Sequence, residues 1–309
     1  MIFTVYLNPT IDKTEYFDEF QIGGTNRPVK SIVNGAGKAV NVSVVLASLG
    51  EENTCAGYLC ADDSGIILDR LKRHDVKCCF EEISGISRIN TKIFDYSKHE
   101  ITEINESGSP VGTEDMDRIK NKILALPSPG DTVIFTGSLP AGADDSIYAD
   151  MISVLERRDV FCVLDASGYA LSKGVEQQPD LIKPNYDEFH DLSGVWLDDL
   201  SAIPDILVNF ALEKNIKYVA LTLGGKGAFL TDSASVFYAE PMRVEILSTV
   251  GAGDSMVAGI VHGLKNGAEY ALRCGVSAAT ASIMREGTQL MLKTDYDSIF
   301  DSVEVRKVL

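Results

Sequence analysis

Thr249-Val250-Gly251-Ala252-Gly253-Asp254-Ser255 sets two glycines around an alanine, follows them with a carboxylate and runs directly into an apolar helical repeat. Met256, Val257, Ile260, Val261 and Leu264 recur on one helical face, and Asn266-Gly267 supplies a stop signal. Residues 251 to 255 are therefore expected in the first turn of a helix. The opening N–H groups of a helix lack partners within it, and with the macrodipole they make an anion cradle. Gly251, Ala252 and Gly253 would let that backbone approach a phosphate. Asp254 beside it could orient a hydroxyl and take its proton while the amides stabilise charge on a phosphoryl group in transit. The pattern points to phosphoryl transfer; a carboxylate that merely caps a helix behind a glycine turn is the plainer reading of the same residues.

Other phosphate loops are excluded by single residues. Lys38 follows Gly37 but precedes Ala39, so there is no G-x-x-x-x-G-K-[ST] loop. Dinucleotide fingerprints fail at Val40 after Gly35-Ala36-Gly37 and at Met256 after Gly251-Ala252-Gly253. The six cysteines are scattered without C-x-x-C spacing and the four histidines make no zinc pattern, so reduced, mostly buried thiols are expected.

The elements that must position these residues follow from the rest of the chain. With 309 residues, 45% of them hydrophobic, it can bury one large core without disulfides, and we expect a single α/β domain over 1–309. The N-terminus lacks the basic flank of a signal peptide and no apolar run is long enough to span a bilayer, which predicts a cytoplasmic protein with no membrane partner. A formal charge of -17 would repel nucleic acid. Phosphorylated substrates would need cations gathered locally, and Arg27, Lys30, Lys38, Arg88 and Lys92 all fall in the N-terminal third.

Short β-branched runs at 2–7, 132–136, 160–165, 180–183 and 217–223 alternate with helical patterns at about 38–49, 64–74, 113–126, 144–157, 187–193 and 201–214. That alternation predicts a mostly parallel central sheet with helices on both faces, in three layers, and ligands at the carboxyl ends of its strands. Asn8-Pro9, Gly137-Ser138, Asp165, Asn185 and Gly224 all follow predicted strands. Segments 13–34 and 87–105 carry β-type alternation without helices and read as a small β-sheet lid inserted in the domain. Such a sheet is stable only if a face is covered, by the site, a second subunit, or both.

Eight motifs in order resemble the PfkB branch of the ribokinase-like sugar kinases over essentially the whole chain. They are Asn8-Pro9-Thr10-Ile11-Asp12, Gly35 to Val42, Ser87-Arg88-Ile89-Asn90, Thr102 to Glu106, Gly137-Ser138-Leu139-Pro140, Lys183-Pro184-Asn185 with Glu188, Leu223 to Ala228, and Val250 to Ser255. The resemblance implies a ribokinase-like fold and ATP-dependent phosphorylation of a sugar phosphate. It lies nearest to members acting on fructose 1-phosphate, with fructose 6-phosphate and tagatose 6-phosphate as alternatives and a non-catalytic sugar-phosphate sensor as the reading from another class. Asp254 would be the base, with the amides of Gly251, Ala252 and Gly253 around the anion.

By the same resemblance Asp12, Gly37 and Asn41 would hold the sugar. Lys38, Arg88 and Arg27, aided by Asn90 and Ser138, would hold its phosphate, an arginine fork being suited to two phosphate oxygens. Lys183, Asn185, Thr222, Gly224, Gly227 and Ser282 match the nucleotide-binding stretch, and Asn185 and Glu188 the element that organises Mg²⁺ through water. Small residues between Ala268 and Glu286 would let a helix lie near the adenine, although plain helix packing explains them equally. A homodimer through the lid is a further expectation. Ala36 and Ala39 stand where family members commonly carry glycine; a positive φ at either position would reshape the sugar pocket.

Overall fold

Buried β-branched runs and amphipathic helical runs alternate along the chain because each strand needs a helix to cover it. The structure is a computed structural model that describes residues 1–197 and 199–309. Its first part contains β1 (Ile2–Tyr6), β2 (Thr10–Phe17), β3 (Lys30–Ala36), α1 (Lys38–Ser48), β4 (Asn53–Cys60), α2 (Ser64–Arg73), β5 (Lys77–Ile83), β6 (Arg88–Asp95) and β7 (Glu100–Asn105). The middle contains α3 (Thr113–Leu124), β8 (Thr132–Thr136), α4 (Ile147–Glu156), β9 (Phe161–Asp165), α5 (Gly168–Val175), β10 (Leu181–Ile182), α6 (Tyr186–Ser193), α7 (Ile203–Lys214) and β11 (Tyr218–Thr222). The last part contains β12 (Ala228–Thr231), β13 (Val236–Ala239), α8 (Ala252–Gly263), α9 (Ala268–Ile283), α10 (Lys293–Phe300) and β14 (Val305–Lys307).

Ten strands form one sheet in the order β14-β13-β12-β11-β10-β9-β8-β1-β4-β5. From β11 to β5 every pairing is parallel, and β12, β13 and β14 add an antiparallel edge. Phe3, Val5, Phe135 and Leu164 pack on one face against Ile119, Met151, Leu171, Phe189 and Leu207 of α3 to α7. Cys55, Ile134, Val163 and Ala220 pack on the other against Val44, Ile67, Val257, Ala278 and Tyr296 of α1, α2, α8, α9 and α10. The result is the three-layer, ribokinase-like arrangement expected from the sequence. Among the described residues no helix is long and apolar enough to cross a membrane.

The helix that carries Asp254 is locked in place by small residues. A Cβ on Gly259 would lie 2.5 Å from the Cys274 carbonyl oxygen, and one on Gly263 would lie 2.6 Å from Ala271 Cα, so α8 and α9 touch backbone to backbone. Gly275 faces α8 in the same seam, with its absent Cβ 2.7 Å from Ile260. Helix packing thus accounts for this part of the small-residue run in α9.

The remaining strands make a separate sheet in the order β3-β2-β6-β7. β2 begins slightly before and β3 ends slightly after the segment 13–34, while β6 and β7 lie within 87–105. The register aligns Asn34, Asp12, Asn90 and Asn105 in one row across all four strands. Because side chains alternate faces, Thr14, Tyr16, Lys92 and Phe94 share that side, and Val33, Ile89 and Ile104 point the other way. The first group faces the 247–250 and 286–288 loops of the main body.

Candidate active site

Residues at the carboxyl ends of β1, β8, β9, β10 and β11 meet the start of α8 along one edge of the large sheet. Gly251 is the N-cap of α8 in the left-handed region at φ 77°, where a side chain would be strained and would also meet Leu290. Asp254 makes no capping bond; its carboxylate is 6% exposed and accepts a 2.7 Å hydrogen bond from Asn41 Nδ2 of α1. The plain capping role is therefore not the one its side chain takes. Gly253 N–H has no partner among the described residues, whereas Ala252 N–H reaches the Thr249 carbonyl at 3.4 Å. A free amide in the first turn is the anion-binding feature the motif predicts.

Three charges are arranged behind this turn. Asp165, fully buried at the end of β9, has the Lys183 ammonium 3.1 Å from Oδ1 as an ion pair, and its Oδ2 accepts from Lys38 Nζ at 3.1 Å and from Thr136 Oγ1 at 3.0 Å. Burial pulls the Asp165 carboxyl upward, but the Lys183 and Lys38 ammoniums outweigh it and leave it below the usual carboxylate range. Burial likewise pulls Lys38 down, and Asp165 followed by Asp254 override it and hold Lys38 above the ordinary lysine range. For Asp254 burial wins over the attraction of Lys38, so its carboxyl is raised, which suits a group that must accept a proton. Lys183 also borders the cradle: a Cβ on Gly253 would lie 3.7 Å from its Nζ.

A cavity of about 170 Å³ opens beside Lys38, lined also by Asn8, Gly37, Arg88, Gly137 and Ser138. Arg88 is aimed by its Nε, which donates to Thr10 Oγ1 at 2.8 Å, and Ser138 Oγ accepts from Asn8 Nδ2 at 3.1 Å. Gly37 holds φ 104°, and a Cβ there would collide with the Tyr6 ring. One β-sheet row further on, Asp12 is buried against Lys92, whose Nζ donates to Asp12 Oδ2 at 2.5 Å. Asn90, next to Asp12 in the row, has a buried Oδ1 without a partner among the described residues.

On the other side of the cradle, Asn185 and Thr222 form a β-bridge, and Gly224 and Gly227 both hold positive φ. Asn185 and Glu188 make a reciprocal capping box at the start of α6: Asn185 Oδ1 accepts from Glu188 N–H and Glu188 Oε2 from Asn185 N–H. The cap spends the Asn185 oxygen and one Glu188 oxygen, leaving Glu188 Oε1 for a cation. Among the described residues no group of three His, Cys, Asp or Glu could hold a metal.

Two predicted residues stand apart from this assembly. Ser282 is fully buried, with its hydroxyl shared between Ser255 Oγ and Met291 N–H, so it ties α9 to α8 and offers nothing to a nucleotide. Arg27 is exposed in the β2–β3 loop and lines neither cavity. Ala36 and Ala39 have ordinary backbone, so the alanines are accommodated without strain. Conversely, Asp165 and Lys92 were not among the site residues read from the sequence. Asp165 carried a signal, its place at a strand end; Lys92 was read as one of the cations of the N-terminal third, but only its pairing with Asp12 places it in the site.

The family model of pfkB family carbohydrate kinases matches residues 7–295. A 1-phosphofructokinase of Bacillus subtilis is 30% identical over 289 residues, covering 93% of each chain. One from Rhodobacter capsulatus is 32% identical over 271 residues, 87% of this chain and 85% of its own. Among solved structures, phosphofructokinase-2 from Escherichia coli in complex with substrates and products superposes with a TM-score of 0.92 at 25% identity, covering 97% of this chain and 98% of that one. With this likeness running through the whole chain, it belongs to the pfkB family of carbohydrate kinases, enzymes that transfer a phosphoryl group to an alcohol acceptor.

Proposed function

We propose that the chain transfers the γ-phosphoryl group of ATP to the free primary hydroxyl of fructose 1-phosphate, giving fructose 1,6-bisphosphate and ADP. The observation that carries this reading is Asp254, buried, oriented by Asn41 and next in sequence to the unpartnered Gly253 amide. Asp254 takes the hydroxyl proton as the oxygen attacks phosphorus and the bond to the ADP oxygen breaks. The Gly251-Ala252-Gly253 turn and the Lys183 ammonium stabilise the charge that develops. Lys38 and Arg88, aided by Asn90 and Ser138, bind the phosphate already on the sugar, and Asp12, Gly37 and Asn41 its hydroxyls. The naming of the relatives as 1-phosphofructokinases supports the choice of sugar.

Lys183, Asn185, Thr222, Gly224 and Gly227 border the nucleotide. Magnesium fits beside them: one uncommitted Glu188 oxygen plus water is the donor set of a hard cation, which would neutralise phosphate charge there. The small sheet closes over the sugar, and its apolar outer residues Val33, Ile89 and Ile104 are covered by a second copy of the chain. ADP release measured with fructose 1-phosphate, fructose 6-phosphate and tagatose 6-phosphate tests the activity. Greatest kcat/KM on fructose 1-phosphate supports it, and no ADP above background with any of the three removes it.

A further inference from the structure

We infer that Lys92 is a specificity-determining residue that acts with Asp12 as one donor–acceptor couple on the hydroxyls of the sugar. The inference deepens the function proposed above and rests on it. Lys92 is 5% exposed and Asp12 6%, and their charges meet on the inner side of the small sheet. A buried ion pair is weak grounds for stability, since a well-packed apolar pair does as well, so its presence here needs another reason.

The hydrogen-bond inventory of the pair supplies one. An ammonium has three N–H donors, and among the described residues Lys92 Nζ spends one, on Asp12 Oδ2. Among the described residues Asp12 Oδ1 accepts nothing, and it is not sealed away from solvent as the orphaned Asn90 Oδ1 beside it is. Donors and an acceptor therefore remain side by side, which is what a hydroxyl pair requires: one oxygen accepts from Nζ while its neighbour donates to Oδ1.

Position supports the assignment. Along β6 the inward side chains run Arg88, Asn90, Lys92 and Phe94, and successive ones are about 7 Å apart. Arg88 borders the cavity beside Lys38. Lys92 borders a second cavity, of about 210 Å³, with Tyr16, Phe94 and Val250. A sugar anchored by its phosphate at Arg88 would thus extend along Asp12 and Asn90 toward Lys92. A couple fixed in that direction discriminates by configuration, because an inverted hydroxyl leaves a buried donor or acceptor unpaired.

Calorimetric titration of fructose 1-phosphate and its C4 epimer, tagatose 1-phosphate, into the wild type, Lys92→Met and Lys92→Gln tests this without requiring turnover. The expected result is at least tenfold weaker binding of the preferred sugar by Lys92→Met, at least a tenfold loss of epimer preference, and an intermediate value for Lys92→Gln, which keeps a donor. The calorimetric Kd for ATP should stay within twofold. An unchanged epimer ratio in both variants overturns the inference, as does a loss confined to thermal stability. Binding without ADP formation by the wild type instead overturns the kinase reaction and leaves the epimer ratio to decide the role of Lys92.

Discussion

Replacing Lys183 with methionine removes the only ammonium that the described residues place on Asp165 Oδ1, while keeping the length of the side chain. Lys183 is 5% and Asp165 0% exposed, so the carboxylate left behind cannot recruit bulk water. Breaking a buried pair costs about 3–5 kcal/mol, and because Oδ2 keeps Lys38 and Thr136 we expect less than that, roughly 2–3 kcal/mol. At about 2–4 °C per kcal/mol this lowers Tm by roughly 4–12 °C. Lys38→Met should cost less, under roughly 1.5 kcal/mol, because the Lys38 side chain is 40% exposed and water replaces part of what is lost.

Asp165 lies below the ordinary carboxylate range in the folded state. A carboxyl lowered on folding contributes stability that is complete above its unfolded range and is lost as pH falls through the lowered value. The Lys183→Met deficit should therefore be level from neutral pH down to the carboxylate range and shrink below it. Thermal and urea unfolding between pH 3 and 8 reads both effects. Equal losses from the two lysine variants, or a Lys183→Met deficit that grows on acidification, would refute the assignment of Asp165 as the shared counter-charge.

Asp254→Asn should lower kcat roughly 10²- to 10⁴-fold with ATP affinity kept; near-normal turnover rejects the base. Because burial raises Asp254, the wild-type kcat should rise with pH along a limb lying above the usual carboxylate range, and this limb should be missing from the residual activity of the variant. Arg88→Ala, which removes about 1.5–3 kcal/mol of charged hydrogen bonding, should raise KM for the sugar phosphate roughly 10- to 100-fold. A change confined to the ATP KM would show that Arg88 serves the nucleotide. Gly259→Ala drives a methyl against the Cys274 backbone and should destabilise by about 1–3 kcal/mol, read as an earlier urea midpoint; an unchanged midpoint would show that α8 and α9 can separate freely.

The parallel body was legible wherever periodicity was strong. The helices expected near 38–49, 64–74, 113–126 and 201–214 correspond to α1, α2, α3 and α7 within a few residues. β4 was missed because all eight of its residues are buried, so Asn53–Cys60 shows no alternation and carries Gly57 in its middle. α5, the eight residues Gly168–Val175 with glycines at 168 and 174, has too little periodicity to announce itself. Within the site, Asp254, Lys38, Asn41, Arg88 and Asp12 were found through spaced motifs. Their electrostatic partners were harder: Asp165 acts through lysines 127 positions before and 18 after it, and nothing in linear order ties Lys92 to a carboxylate 80 positions earlier. Ser282 misled because a buried serine tying two helices together and a serine meeting a ligand look alike in sequence.

The two-sided use of the small sheet constrains how this chain can change. Moving β2 or β6 by a single position would turn Asp12, Asn90 and Lys92 away from the main body and bring Ile11, Ile89 and Ile93 toward it, exchanging a polar floor for an oily one in a single event. Insertions and deletions inside these strands should accordingly be purged, while substitutions are sifted one face at a time. Length variation is left to the connections at 19–28 and 98–99, beyond the last cross-strand bonds made by Asp18, Val29 and Ser97, where adding residues alters neither parity nor pairing.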